Sequence, residues 1–137
     1  MINESLRLYP PVYGLFRKPQ EPTEIDGYDI PTNATVILPV SAVQRDERWY
    51  ENPNTFDPNR WKGESEIESE NPNFAYYPFG GGLNVCIRET LAKAELKTAL
   101  AIILRKWEFR PVTKEFERAI AITAQPREEL LVEIVER

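Results

Sequence analysis

The longest regular pattern of apolar and polar positions runs from Ile87 to Trp107. Ala92, Leu96, Ala99, Leu100, Ile103 and Trp107 recur at spacings of three and four, which predicts a helix carrying one apolar stripe. Met1 to Leu8 reads as the last two turns of another helix. Pro10 and Pro11 stop it, because proline lacks an N–H and biases its predecessor away from helical backbone. From Val12 to Val40 short apolar runs are broken by Pro19, Pro22, Gly27, Pro31 and Pro39. These predict an antiparallel meander, with "ATVILPV" (Ala34 to Val40) as its best buried strand. Ser41 to Trp61 alternates helical turns with proline. Lys62 to Pro78 reads as a long solvated loop carrying Glu64, Glu66, Glu68 and Glu70 without an intervening positive charge. Beyond the long helix, "WEFRPV", "AIAIT" and "ELLVEIV" read as strands of a small terminal sheet.

Composition narrows what this arrangement can do. At 137 residues the chain has the size of one domain, or of one piece of a larger domain, and residues 1 to 137 show no linker or repeat. The absence of histidine excludes imidazole catalysis and imidazole metal ligation. A net charge of −5 argues against nucleic acid as a partner. One cysteine forms no internal disulfide and no multi-cysteine zinc site. No apolar run reaches membrane-spanning length and no signal-peptide pattern opens the chain, so a soluble, cytoplasmic protein is expected.

The single thiol lies in "FGGGLNVCIRETLA", Phe79 to Ala92. Gly80, Gly81 and Gly82 can take backbone angles closed to other residues, which lets this loop press against something flat or bulky. Cys86 comes just before the long helix, where free amides and the helix dipole favour a thiolate, a candidate metal ligand. A buried, inert cysteine is the other reading of the same residue. A phosphate-binding loop fits less well, because the Gly-x-x-x-x-Gly-Lys-Ser/Thr pattern is absent. Elsewhere, Glu4 and Arg7 stand three apart and share a helix face. Arg60 lies in "FDPNRW", and a buried Glu4 between the two guanidiniums would make a fixed network rather than a surface pair.

Taken in order, these motifs resemble the cytochrome P450 family of heme-thiolate monooxygenases, and the resemblance covers nearly the whole chain. Glu4 and Arg7 in "NESLRLYPPV" match the Glu-x-x-Arg of the family's K helix. Arg60 matches the arginine that completes its buried triad, and Asp26 to Val40 resembles the sheet segment after that helix. Phe79, Gly82 and Cys86 match the Phe-x-x-Gly-x-basic-x-Cys-x-Gly signature. The resemblance implies a mainly α fold with small antiparallel β-sheets (α+β), made of the end of the K helix, the meander, the cysteine loop, the L helix and terminal strands. It implies a truncated, single heme-binding portion over residues 1 to 137.

By the same resemblance Cys86 is the catalytic proximal ligand to iron of heme b. Phe79, Gly80, Gly82 and Asn84 belong to the heme-binding loop, and Arg17 in "GLFRKP" is a partner for a heme propionate. Asn84 and Arg88 replace the family's basic residue and glycine, Leu83 stands at a common proline, and Gln44 precedes "RD" where histidine is common. Expected partners are a small apolar organic substrate and a redox protein: a ferredoxin, a flavodoxin or a flavoprotein reductase. Arg88, Lys93 and Lys97 are the residues expected to meet its acidic surface. Proton delivery to dioxygen and most substrate contacts map upstream of Glu4, so one side of a heme site is expected here, without unaided hydroxylation. The alternative is a truncated, non-catalytic remnant that no longer holds heme tightly.

Overall fold

The computed structural model describes residues 1–62, 74–120 and 123–137, apart from the side chains at 118 and 120. Helix α1 (Ile2–Leu8) ends where expected, at Tyr9 ahead of Pro10 and Pro11. Strand β1 (Leu15–Arg17) follows, then β2 (Thr23–Ile25) and β3 (Tyr28–Ile30), then β4 (Val36–Leu38). β2 and β3 form a hairpin in which Ile25 faces Tyr28. Its two-residue turn, Asp26–Gly27, has φ of 51° and 79°, the pattern of a type I′ turn, which Asp-Gly suits because Gly bears no Cβ. β1 pairs antiparallel with β4, Leu15 opposite Leu38 and Arg17 opposite Val36.

The region is therefore two nested two-stranded ladders rather than a meander. A meander would have paired β1 with its successor, but the hairpin turn captures β2 and β3 first and leaves β1 to the strand beyond them. The expected buried strand at Ala34–Val40 also differs. Ile37 is exposed, and Val40, the buried member of that segment, already belongs to α2 (Val40–Val43).

A 3₁₀ turn covers Pro58–Trp61, capped by the Asp57 carboxylate, which accepts from the Asn59 N–H at 2.9 Å. The acidic run at Glu64, Glu66, Glu68 and Glu70 lies outside the described residues. A second 3₁₀ turn, Gly82–Asn84, opens the cysteine segment, and helix α3 spans Glu89–Lys106. The chain then passes directly into β5 (Trp107–Pro111), which pairs with β8 (Val132–Glu136). β6 (Arg118–Ile120) pairs with β7 (Ala124–Pro126). The terminal strands make two ladders, not one sheet, and "AIAIT" lies partly in β6 and partly outside the described residues. The Ala124 N–H donates to the Pro11 carbonyl at 2.8 Å and ties this end back to the exit of α1.

Leu6, Leu8, Val40, Tyr50, Ala75 and Tyr77 form the buried apolar core of the described residues, around Glu4, Arg7 and Gln44. The α3 stripe is mostly outside it. Ala92 and Leu100 are half-buried, whereas Leu96, Ala99 and Ile103 are exposed. Among the described elements α3 packs mainly on α1 and β5, so much of its apolar face has no layer laid over it. The periodicity that predicts the helix reports the face's chemistry, not its burial.

Candidate functional site

Two constellations share the α1 end of the molecule. The first is built on Glu4 and Arg7, both fully buried in the last turns of α1. Arg7 Nε donates to Glu4 Oε2 at 2.9 Å, and Nη2 donates to Glu4 Oε1 at 2.8 Å, a two-pronged pair. Nη1 donates to the carbonyls of Gln44 at 2.8 Å and Pro53 at 2.7 Å, and Nη2 also donates to the Thr55 carbonyl at 3.2 Å. All five N–H donors of the guanidinium are thus engaged. Its plane also lies 4.8 Å from the Tyr50 ring centroid.

Glu4 in turn accepts from the Asp57 N–H and from Trp61 Nε1, each at 3.0 Å. Arg60 Nε stands 3.5 Å from Glu4 Oε1, and Arg60 Nη2 donates to the carbonyls of Glu51 and Asn52. Burial alone would raise the Glu4 carboxyl. Hydrogen bonds from Arg7, the Asp57 N–H and Trp61 outweigh it and hold the group below the ordinary carboxylate range. The network staples α1 to the long segment between α2 and the Pro58–Trp61 turn.

The second constellation is the loop from Phe79 to Cys86. Gly80 and Gly82 have φ of 81° and 63°, left-handed backbone that favours glycine. A methyl on Gly80 would lie 3.1 Å from the Asn84 carbonyl oxygen and 3.7 Å from Leu15 Cδ1, so the loop folds tightly on itself and rests against β1. The Gly80 N–H donates to the Tyr77 carbonyl, and the Cys86 N–H closes the loop on the Phe79 carbonyl, each at 2.9 Å. Cys86 is free and exposed. Around it Leu83 and Ile87 are wholly exposed and Val85 is 43% exposed. The loop presents a thiol within an outward-facing apolar rim. Asn84 closes the 3₁₀ turn with an exposed side chain, and Arg88 is exposed as well.

Several expected residues stand elsewhere than the sequence suggested. The helix begins at Glu89 with Arg88 as its cap residue, so Cys86 precedes it by a turn rather than adjoining it. The Cys86 carbonyl accepts the Glu89 N–H at 3.2 Å to form that turn. Lys93 was expected to face an acidic partner but is 8% exposed. Its ammonium lies 2.9 Å from the Glu89 carboxylate and 5.7 Å from the Phe79 ring centroid, because a Glu four residues ahead and an aromatic face draw it inward. Arg88 and Lys97 remain exposed. Arg17 is half-buried on β1 with Nη1 donating to its neighbour's carbonyl at 2.9 Å. It shares a strand face with Leu15, the residue that touches the glycine loop.

Sequence reasoning marked Gln44 only as a departure from the family's usual histidine and gave it no role, whereas it is fully buried and bonded on both side-chain polar atoms. It also passed over Trp61 as a donor to Glu4. Neither carries a periodic signal; a polar residue closing the apolar run "VSAV" was the available hint.

The glycine loop with its exposed thiol and the buried Glu-x-x-Arg network of α1 stand together in a chain whose family the comparisons with known proteins show. The family model for Cytochrome P450 matches residues 1–132, and the chain belongs to that family. It is 38% identical over 111 residues to Cytochrome P450 734A5 of Oryza sativa subsp. japonica, a match covering 80% of this chain and 21% of the relative. It is 36% identical over 112 residues to Cyclooctat-9-en-7-ol 5-monooxygenase of Streptomyces melanosporofaciens, covering 82% and 24%. Among solved structures, retinoic acid bound cyanobacterial CYP120A1 superposes with a TM-score of 0.89 at 28% identity, over 99% of this chain and 31% of that one. The chain thus spans between a fifth and a third of the length of these relatives. Among the described residues no helix is long and apolar enough to cross a membrane, and no group of three or more Cys, Asp or Glu residues could hold a metal ion.

Proposed function

We propose that Cys86 is the proximal thiolate ligand of a heme b group, and that this chain forms the thiolate side of a monooxygenase site acting on a small apolar organic substrate. One observation carries the reading: the free thiol is exposed on a loop fixed at its base by the Cys86-to-Phe79 backbone bond and rimmed by Leu83, Val85 and Ile87. A soft sulfur donor set in an apolar rim suits iron held in a flat apolar macrocycle. The heme, when bound, supplies the dioxygen chemistry, and thiolate ligation pushes electron density that favours O–O cleavage.

The protein's own residues do the positioning. Gly80 and Gly82 take the left-handed backbone that closes the turn, and the Cys86 N–H bond to the Phe79 carbonyl fixes the backbone from which the sulfur projects. The amides of Ile87 and Arg88 follow the sulfur in sequence and are candidates to moderate its charge. Arg17, on the strand face that meets the loop through Leu15, is placed to reach an anionic propionate, and Asn84 to offer it an uncharged hydrogen bond. Arg88 is exposed and so is free to lie away from a bound macrocycle. Arg88 and Lys97 form the basic surface offered to an acidic redox partner such as a ferredoxin, a flavodoxin or a flavoprotein reductase. A free, exposed thiol fits a reducing compartment such as the cytoplasm. Titration with hemin tests the assignment: wild type binds one equivalent with a thiolate-type spectrum, and Cys86→Ser loses that spectrum while keeping its far-UV circular dichroism. Equal spectra from the two proteins would remove Cys86 from the site.

A further inference from the structure

Gln44 occupies the junction between the buried ion pair and the root of the cysteine loop. Its Nε2 donates to the carbonyls of Leu6 at 3.1 Å and Arg7 at 3.0 Å, and its Oε1 accepts the Tyr77 N–H at 3.0 Å. Those carbonyls are in the last turn of α1, where no intrahelical donor reaches them. Tyr77 lies two residues before Phe79, and its own carbonyl accepts the Gly80 N–H. A continuous series of bonds therefore runs from α1 through one carboxamide to Tyr77, Gly80, Phe79 and Cys86. Gln44's backbone carbonyl also accepts from Arg7, so the same residue is held from the ion-pair side.

We infer that Gln44 is a positioning residue for Cys86, setting the origin of the loop that presents the thiol. A neutral carboxamide has two donors and an acceptor on one planar head, and here each is matched to a buried backbone group. A side chain that only filled the space would leave two carbonyls and one N–H without partners. The inference rests on the reading of Cys86 as iron ligand only for its functional meaning; the placement of the thiol is testable without heme.

The test compares wild type, Gln44→Met and Gln44→His by residue-resolved amide hydrogen exchange. Gln44→Met keeps an unbranched side chain and the backbone bonds but removes all three side-chain bonds. Exchange at Tyr77, Gly80 and Cys86 is expected to quicken about ten- to a hundredfold, with the amides of α3 unchanged. Neutral imidazole has one donor and one acceptor, whereas imidazolium has only donors and would oppose the Tyr77 N–H. Gln44→His is therefore expected to restore slow exchange at pH 7.5 and to lose it at pH 5.5, each relative to wild type at the same pH. Among the described residues, Arg7 donates to the Gln44 carbonyl and pairs with Glu4 on α1, Arg45 and Asp46 follow in sequence, and Tyr77, which gives its N–H to the carboxamide, carries the neighbouring phenol. Wild type has no histidine, so no imidazole of its own enters the comparison.

Unchanged loop exchange in Gln44→Met, quickening spread equally over α3, or a Gln44→His protein that matches Gln44→Met at both pH values overturns the proposal. If Gln44→Met does not fold, the pH response of Gln44→His decides alone. Hemin spectra of the same proteins separate the two readings: a wild type without thiolate ligation but with the expected exchange pattern refutes the heme assignment and leaves Gln44's role standing.

Discussion

Replacing Arg7 by methionine is the most severe single perturbation the structure offers. The substitution keeps an unbranched chain in the space and removes five hydrogen bonds. Glu4 would keep the Asp57 N–H and Trp61 Nε1, with Arg60 Nε at 3.5 Å as its remaining cation. Breaking a buried pair by removing one partner costs about 3–5 kcal/mol. The carbonyls of Gln44, Pro53 and Thr55 also lose a donor, at roughly 1 kcal/mol each where water cannot replace it. Arg60 can swing toward Glu4 and recover part of this, so the net loss is set at about 4 kcal/mol. Total stabilities of domains are about 5–15 kcal/mol. Arg7→Met should therefore keep only about 1–11 kcal/mol and melt far below wild type, by circular dichroism and urea titration. A loss under about 1 kcal/mol, the range of exposed pairs, would refute the burial argument.

Acid titration checks the other partner. The Glu4 carboxyl is held below its ordinary value of 4.5, so its contribution is full above that value and disappears as pH falls through the lower folded one. The stability gap between wild type and Glu4→Gln should narrow as pH drops from 6 to 3 in urea midpoints; a constant gap would show that the charge contributes nothing. Gly80→Ala puts a methyl at φ of 81° and 3.1 Å from the Asn84 carbonyl. It should cost about 1–2 kcal/mol and speed hemin release, measured by transfer to apomyoglobin, and an unchanged release rate would mean the loop is not what holds the group. Charge reversal at Lys97, exposed on α3, should slow reduction of the hemin complex by an acidic ferredoxin at low salt and lose that effect at high salt. Equal rates at low salt would place the docking surface elsewhere.

Local signals were legible from sequence, and long-range ones were not. α3 could be read because eighteen residues give the 3.6-residue period room to show. α1 could be read because Pro10 and Pro11 stop a helix wherever they occur. The pairing of β1 with β4 could not be read, because three-residue strands carry no register information and the nested hairpin decides their partners. Glu4 and Arg7 were visible as a pair at helical spacing. Their burial depends on Asp57, Trp61 and three carbonyls brought from more than thirty residues away, to which no local pattern points. Lys93 and Gln44 show the same limit from the polar side. A lysine on a helix reads as solvated, and Gln44 reads only as a stand-in for the family's usual histidine, until Phe79 with Glu89 in one case and Leu6, Arg7 and Tyr77 in the other supply partners for them.

The claim that Cys86 presents a thiolate to heme iron is tested most directly by the carbon monoxide difference spectrum of the reduced hemin complex. Wild type is predicted to show the strongly red-shifted Soret band of thiolate-ligated ferrous heme, and Cys86→Ser is predicted to lack it. A wild-type band at the position of non-thiolate heme, or no band at all, would contradict the account.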